Sequence, residues 1–207
     1  MFPDLFRDDV FTLETARLFL RWPKLSDAAE IVLLAGDRRV AEMTSHVPHP
    51  YPPEAAPTFI LAARDGNANG ATLRLAIAPR KMPQKLIGMV GLEPADEGGA
   101  RELGYWLGMP YWGKGLMTEA AQAILDVAFL YADMPAVRAS VRVVNPASRK
   151  VLEHCGFQFE GGGMVTRSVT GENVTADHYR LSRGTWASLK GWRAPLPTER
   201  PEFRENA

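Results

Sequence analysis

The stretch 101–131, RELGYWLGMPYWGKGLMTEAAQAILDVAFLY, constrains this chain more than any other. Residues 102–107 suit a strand, because two leucines and the adjacent Tyr105 and Trp106 fit a pleated, half-buried surface better than a helix. Gly108, Pro110, Gly113 and Gly115 then interrupt any regular period. From Leu116 the apolar residues recur at Leu116, Ala120, Ile124, Val127, Ala128 and Tyr131, with Glu119, Gln122 and Asp126 on a narrow polar face, which predicts an amphipathic helix. A strand, a glycine turn and a helix start make a site for an anion, since the first N–H groups of a helix are unpaired and its dipole is positive at that end. Lys114 adds a cation within the turn. Neither the Walker spacing nor the three-glycine dinucleotide fingerprint is present, so the turn alone leaves anion binding and a purely structural connection both open.

The segment downstream narrows the choice. Residues 136–144 place Val137, Ala139, Val141 and Val143 on one face and Arg138, Ser140 and Arg142 on the other, the pattern of a strand. It ends at Asn145-Pro146, where an asparagine cap and a proline in the first helical position start a short helix over 147–155 that Gly156 stops. Val151, Leu152 and Cys155 form its packing face.

WGKGLMTEA after a Gly-Tyr-Trp strand, followed by a strand ending in NPASRKVLEHCGF, resembles the GCN5-related N-acetyltransferases, specifically their RimJ/RimL-type branch. The resemblance implies that the glycine turn holds the pyrophosphate of acetyl-CoA through backbone amides. The family's turn pattern, Gln/Arg-x-x-Gly-x-Gly/Ala, falls on Trp112, Gly113, Lys114, Gly115, Leu116 and Met117; only Gly115 fits strictly, while Trp112 and Met117 depart. Main-chain amides carry such binding, so these departures are expected to alter packing rather than abolish it. The resemblance assigns coenzyme contact to Leu103, Tyr105, Trp112, Gly113, Lys114, Gly115, Leu116, Met117, Thr118, Asn145 and Ser148. Leu152 occupies the position where many relatives carry a tyrosine acid, so that role is not carried over.

The 207 residues are 46% hydrophobic, enough for one ordinary core, and their formal net charge of zero favours neither nucleic acid nor an anionic membrane. The single cysteine excludes an internal disulfide and suits a buried spacer. With no secretion signal or long apolar run, the cytoplasm is the expected compartment, and the chain is expected as monomer or homodimer. Residues 1–11 match neither structural period and are expected to form an extended, partly ordered arm. A single domain over 12–189 follows, with a tail over 190–207. Within the domain, strands are expected at 16–22, 72–78, 86–92, 164–169 and 176–181, helices at 27–35 (capped by Ser26), 40–43, 54–64 and 183–189, and a turn at 94–100. Between the early helices, 47–53 carries four prolines and stays extended and stiff. The triple glycine 161–163 is read as a break. This order is that of the family's α+β fold, a mixed, mostly antiparallel central sheet of about seven strands flanked by helices, and in RimJ/RimL-type relatives the proline loop borders the acceptor site.

Acetyl transfer to an amine needs a neutral nucleophile, and an α-amine of pKa about 8 is easier to deprotonate than a lysine at about 10.4. The thioester oxygen needs a backbone N–H, and the leaving thiolate needs a donor. Glu102 is the expected base and Ser148 the expected donor to sulfur. Each has a structural rival: Glu102 as a solvated strand residue, Ser148 as a helix-end hydroxyl bonding the backbone. His46 and His49 lack a third ligand nearby, and no metal is expected. The expected activity is direct acetyl transfer from acetyl-CoA to a primary amine, whether a protein N-terminus or a small molecule such as an amino acid, polyamine or antibiotic. A non-catalytic acyl-CoA-binding regulatory module is the reading from another class.

Overall fold

Alternating apolar residues in the middle of the chain become one eight-stranded sheet in the computed structural model, which describes residues 2–95 and 101–193. The strands are β1 (Thr12–Glu14), β2 (Leu18–Arg21), β3 (Leu73–Pro79), β4 (Gly88–Pro94), β5 (Arg101–Leu107), β6 (Ala136–Arg142), β7 (Gln158–Thr166) and β8 (Asn173–Ser182). They lie in the order β1-β2-β3-β4-β5-β6-β8-β7, and every pairing is antiparallel except β5 with β6. The helices are α1 (Ala28–Ala35), α2 (Arg38–Ala41), α3 (Ala55–Ala68), α4 (Leu116–Leu130), α5 (Pro146–Cys155) and α6 (Arg183–Arg193).

Strand alternation sends side chains to two separate cores. Leu73, Leu75 and Ile77 of β3, Val90 and Leu92 of β4, and Leu103 and Leu107 of β5 pack with Ala120, Ile124 and Val127 of α4 and Leu152 of α5. On the opposite face, Ala76 and Met89 pack with Ile31 and Ala35 of α1 and Ile60 of α3, with Trp106 half-buried against them. The one parallel pairing is short: β5 meets β6 only at Arg101↔Val137 and Glu102↔Arg138, and beyond that the two strands splay apart. That split in the sheet positions the site.

Several sequence expectations are corrected. Strand β1 makes the count eight rather than about seven; at three residues it is too short to show a period. Ser26 does not cap α1, because it lies inside a 3-10 turn (Leu25–Asp27), and Asp27 accepts the Lys24 N–H instead. The Asp27 carboxylate is spent in a two-pronged ion pair with Arg21 at 2.7 and 2.8 Å, both side chains almost wholly buried. The triple glycine lies inside β7 rather than breaking it, and a Cβ at Gly163 would meet His178 Nε2 at 2.6 Å, so close approach to β8 explains at least that glycine. The arm expected to be extended forms a 3-10 turn (Asp4–Phe6), and Phe2 and Phe6 enter the core edge to face with each other, Phe6 also meeting Phe11. Burying one such ring is worth roughly 1.5–3 kcal/mol, which outweighs the missing period. Of the expected turn, 96–100 lies outside the described residues, as does 194–207 of the tail, whose first residues continue α6.

Candidate active site

Where β5 and β6 part, a cleft of about 2200 Å³ opens at their carboxyl ends, the usual place for a ligand on a sheet with parallel strands. Beyond Glu102 the β5 edge has no β6 partner, so backbone groups on that edge face the cleft. The turn after β5 forms one end of it. Gly113 and Gly115 both have φ of 70°, a left-handed conformation that side chains disfavour, and Gly115 is the residue from which α4 starts. A Cβ at Gly113 would meet no atom within 4 Å, so conformation rather than crowding requires that glycine. The first N–H groups of α4, at Leu116, Met117 and Thr118, therefore open on the cleft with no side-chain cap. The Trp112 indole N–H donates to Leu107 O at 2.5 Å and ties the turn to the end of β5.

Lys114 is arranged differently from the sequence expectation. Its ammonium donates to Pro110 O at 2.8 Å and sits 5.8 Å from the Tyr111 ring centroid, held against the turn. A second cation, Arg17, escaped sequence reasoning because it lies 97 residues from Lys114, whose carbonyl its Nη1 reaches at 2.8 Å. Glu119, in the first turn of α4, accepts from Thr15 Oγ1 at 2.6 Å, Arg17 N at 2.8 Å and Arg17 Nε at 2.6 Å. Burial pushes the Glu119 carboxyl up, but those hydrogen bonds outweigh it and hold the group below its ordinary value. The other terminal nitrogen of Arg17 lies 3.6 Å from where a Gly115 Cβ would stand.

The second wall is α5. Asn145 caps it, its side-chain oxygen accepting from Ser148 N at 3.1 Å, and Gly156 ends it at φ of 90°. Ser148, in the first turn, points its hydroxyl across the split to Tyr105 on β5, with 2.8 Å between Ser148 Oγ and the Tyr105 hydroxyl. Burial pushes the Tyr105 phenol well above its ordinary value; the Ser148 hydrogen bond opposes this and the nearby Cys155 adds to it. Tyr105 therefore stays protonated and neutral.

Glu102 faces the other way. With Trp106 it projects to the α1/α3 side, whereas Leu103, Tyr105 and Leu107 face α4. Between Glu102 and Trp106, Gly104 leaves open space: no atom lies within 4 Å of its would-be Cβ. The facing residue on β4, Glu93, is engaged by Arg74 Nε at 2.8 Å, while the Glu102 carboxylate makes no hydrogen bond or ion pair among the described residues. This side of the cleft is walled by α2, by Val47 and Tyr51 of the proline loop, and by the β7–β8 hairpin. The hairpin clasps the end of α2 and the segment after it: Ser168 Oγ donates to Ser45 O at 3.1 Å and meets His46 Nδ1 at 2.7 Å, and Arg167 reaches Ala41 O; Arg142, at the end of β6, donates to Glu42 O beside them. His49 Nδ1 instead meets Gly36 O at 2.8 Å, so the two histidines serve separate contacts. Among the described residues no group of three or more His, Cys, Asp or Glu side chains is placed to hold a metal, and no helix is long and apolar enough to cross a membrane.

Glu102, Leu103, Tyr105, Trp112, Gly113, Gly115, Leu116, Met117, Thr118, Asn145 and Ser148 thus line one cleft, and Lys114 braces its edge. Sequence reasoning missed the Arg17–Glu119 clasp, the Tyr105–Ser148 contact and the hairpin clasp, all of which join residues distant in the chain and leave no local pattern.

A family model described as the acetyltransferase (GNAT) domain matches residues 17–158. The chain is 32% identical over 151 residues to the uncharacterized N-acetyltransferase p20 of Bacillus licheniformis, covering 72% of this chain and 84% of that protein. Among solved structures, the microcin C7 self-immunity acetyltransferase MccE in complex with acetyl-CoA and AMP matches with a TM-score of 0.68 at 22% identity, over 81% of this chain and 93% of that one. RimL, a ribosomal L7/L12 alpha-N-protein acetyltransferase, matches with a TM-score of 0.69 at 19% identity, over 83% of this chain and 94% of that one. At those identities the two structures are likenesses of fold.

Proposed function

On the premise that the chain belongs to the GNAT acetyltransferase family and is an N-acetyltransferase, we propose that it passes the acetyl group of acetyl-CoA directly to a protein N-terminal α-amine within a ternary complex. The observation that carries this reading is the split between β5 and β6, beside which strand alternation places Tyr105, with its partner Ser148, on one face of the sheet and Glu102 on the other. A thioester threaded through the split meets a donor on its sulfur side and a carboxylate on the side from which an amine approaches.

In this mechanism the pyrophosphate lies against the N–H groups at the start of α4, where the helix dipole and unpaired donors favour negative charge. The amine lone pair forms the C–N bond, and the carbonyl π pair moves to oxygen, stabilised by a backbone N–H of the released β5 edge. Collapse restores the carbonyl and breaks the C–S bond, leaving that electron pair on sulfur. Glu102 takes the proton released by nitrogen, directly or through a water, and Ser148 Oγ–H donates a hydrogen bond to the departing thiolate. Coenzyme A and the amide are the products. An α-amine suits a carboxylate base because its pKa of about 8 lies well below a lysine's at about 10.4. The clasp between the hairpin and the segment after α2 walls the acceptor side and favours a substrate that enters end-on. RimL, which shares the fold, is an alpha-N-protein acetyltransferase.

The test is release of free thiol from acetyl-CoA with peptides carrying a free α-amine, compared with peptides blocked at the N-terminus but containing lysine. Faster release with the free α-amine is the expected result; equal rates would remove the α-amine preference, and no release with any amine would leave coenzyme binding alone. In Glu102→Gln, kcat/KM should keep climbing with pH where the wild type levels off, because the amine must then lose its proton unaided. A profile parallel to wild type would take Glu102 out of the mechanism.

A further inference from the structure

The helix position where a tyrosine could serve the sulfur is held by Leu152, buried in the core, yet a tyrosine hydroxyl still stands beside Ser148, supplied by a different element. Tyr105 reaches it from β5, and its hydroxyl has two oxygens of Ser148 in range: Oγ at 2.8 Å and the backbone O at 3.2 Å. A phenol carries one proton, so its direction decides what Ser148 can do. If Tyr105 donated to the backbone O, Ser148 would turn its own proton onto the phenol oxygen and have none for a ligand. The distances favour the other arrangement, since 2.8 Å is an ordinary O–H···O separation whereas 3.2 Å is beyond the usual range. The carbonyl of Ser148, in the first turn of α5, also already serves the helix ladder.

We propose that Tyr105 is a positioning residue for acetyl transfer: its O–H donates to Ser148 Oγ, which turns the serine proton toward the sulfur of the coenzyme. This rests on the assignment of Ser148 as donor to the thiolate. No proton leaves either hydroxyl in the step: Tyr105 keeps its own, Ser148 shares its own with sulfur, and the thiolate is protonated by water as coenzyme A departs. Burial raises the phenol and keeps it neutral, so it is a fixed donor and would not end ionised beside a thiol of ordinary pKa, about 8.5. The pair also bridges the two strands where they splay, because Tyr105 stands on β5 and Ser148 on the helix that follows β6.

The experiment is a double-mutant cycle on the full chain with Tyr105→Phe, Ser148→Ala and both together. Thiol release is followed with acetyl-CoA and a free-α-amine peptide, and separately with water as the acyl acceptor, so that a wrong acceptor class does not silence the readout. Coenzyme A affinity by calorimetry and the melting temperature are recorded for each variant. Tyr105→Phe, which keeps the ring, is expected to lower kcat about fivefold to tenfold with KM for acetyl-CoA within about twofold, and the double variant to be no slower than Ser148→Ala. Independent effects that multiply in the double variant would overturn the proposal, as would a Tyr105→Phe enzyme turning over at the wild-type rate. Wild-type turnover in Ser148→Ala would overturn it by removing the donor itself; a slowed Ser148→Ala beside an unaffected Tyr105→Phe would leave the donor in place and sink only the positioning role.

Discussion

The two walls of the cleft are made in different ways. On the side proposed for the coenzyme the surface is mostly main chain, with two glycines at φ of 70° and the uncapped N–H groups at the start of α4, beside the Asn145 side chain that caps α5 three residues from the serine it holds. On the acceptor side it is assembled from side chains and carbonyls far apart in the chain, with Ser168 meeting His46 across 122 residues and Arg167 meeting Ala41 across 126. A main-chain cradle recognises charge and tolerates changes of side chain, so under the proposed function Trp112 and Met117 can depart from the family's turn pattern without loss of binding. A side-chain wall can be changed piece by piece, so acceptor choice can vary while coenzyme binding is kept.

The coenzyme wall also has a non-local support, since Arg17 and Glu119 fasten the turn to the connection between β1 and β2. Its conformation is therefore local and its anchoring is not, and the two can be separated by mutation.

The largest effect is expected from Gly115→Glu, which forces a side chain into a left-handed backbone at a cost of about 1–2 kcal/mol and places a carboxylate where the phosphates would lie. Losing one or two charge-assisted hydrogen bonds there should weaken acetyl-CoA binding about 100-fold. Calorimetry reads this, and wild-type affinity in a folded Gly115→Glu would dissolve the distinction between the walls. Arg17→Ala should raise KM for acetyl-CoA about fivefold while kcat holds, the consequence of removing an anchor worth about 1 kcal/mol. If KM for the acceptor moved instead, the clasp would belong to the other wall. Ser168→Ala should show the mirror image, a roughly threefold change in acceptor KM with unaltered acetyl-CoA affinity, because it loosens the hairpin clasp alone.

The smallest effect concerns pH. Hydrogen bonds from Thr15 and Arg17 hold the Glu119 carboxyl below its ordinary 4.5 despite the opposing pull of burial, so its stabilisation is fully present above that value and is lost as pH falls through the lowered one. The melting-temperature advantage of wild type over Glu119→Gln should therefore be constant near neutrality and shrink below about pH 4.5. An advantage that persisted at lower pH would mean that the clasp works without its charge.

By itself the amino-acid order determined what depends on a few consecutive residues. Alternation marked β3 and β6, apolar and aromatic residues beside glycines marked β4 and β5, the glycine turn and 3.6-residue period marked the start of α4, and Asn145-Pro146 marked α5, because propensity, capping and left-handed glycine act within one or two turns of chain. The eleven cleft-lining residues expected for the site fall within 102–148 for the same reason: most of them belong to two helix starts and the strand before one of them. Tertiary structure alone decided the rest. Asp27 rather than Ser26 organises the start of α1 because a buried guanidinium from β2 claims it, and the triple glycine extends β7 because β8 lies against it. Lys114 turns back onto Pro110, Arg17 takes its place beside Gly115, and Tyr105 finds Ser148 across a gap that exists only because two parallel strands pair at two positions and then separate. Contacts of that kind carry no period and no fixed spacing; they follow from which surfaces the sheet and its two cores bring within hydrogen-bonding distance.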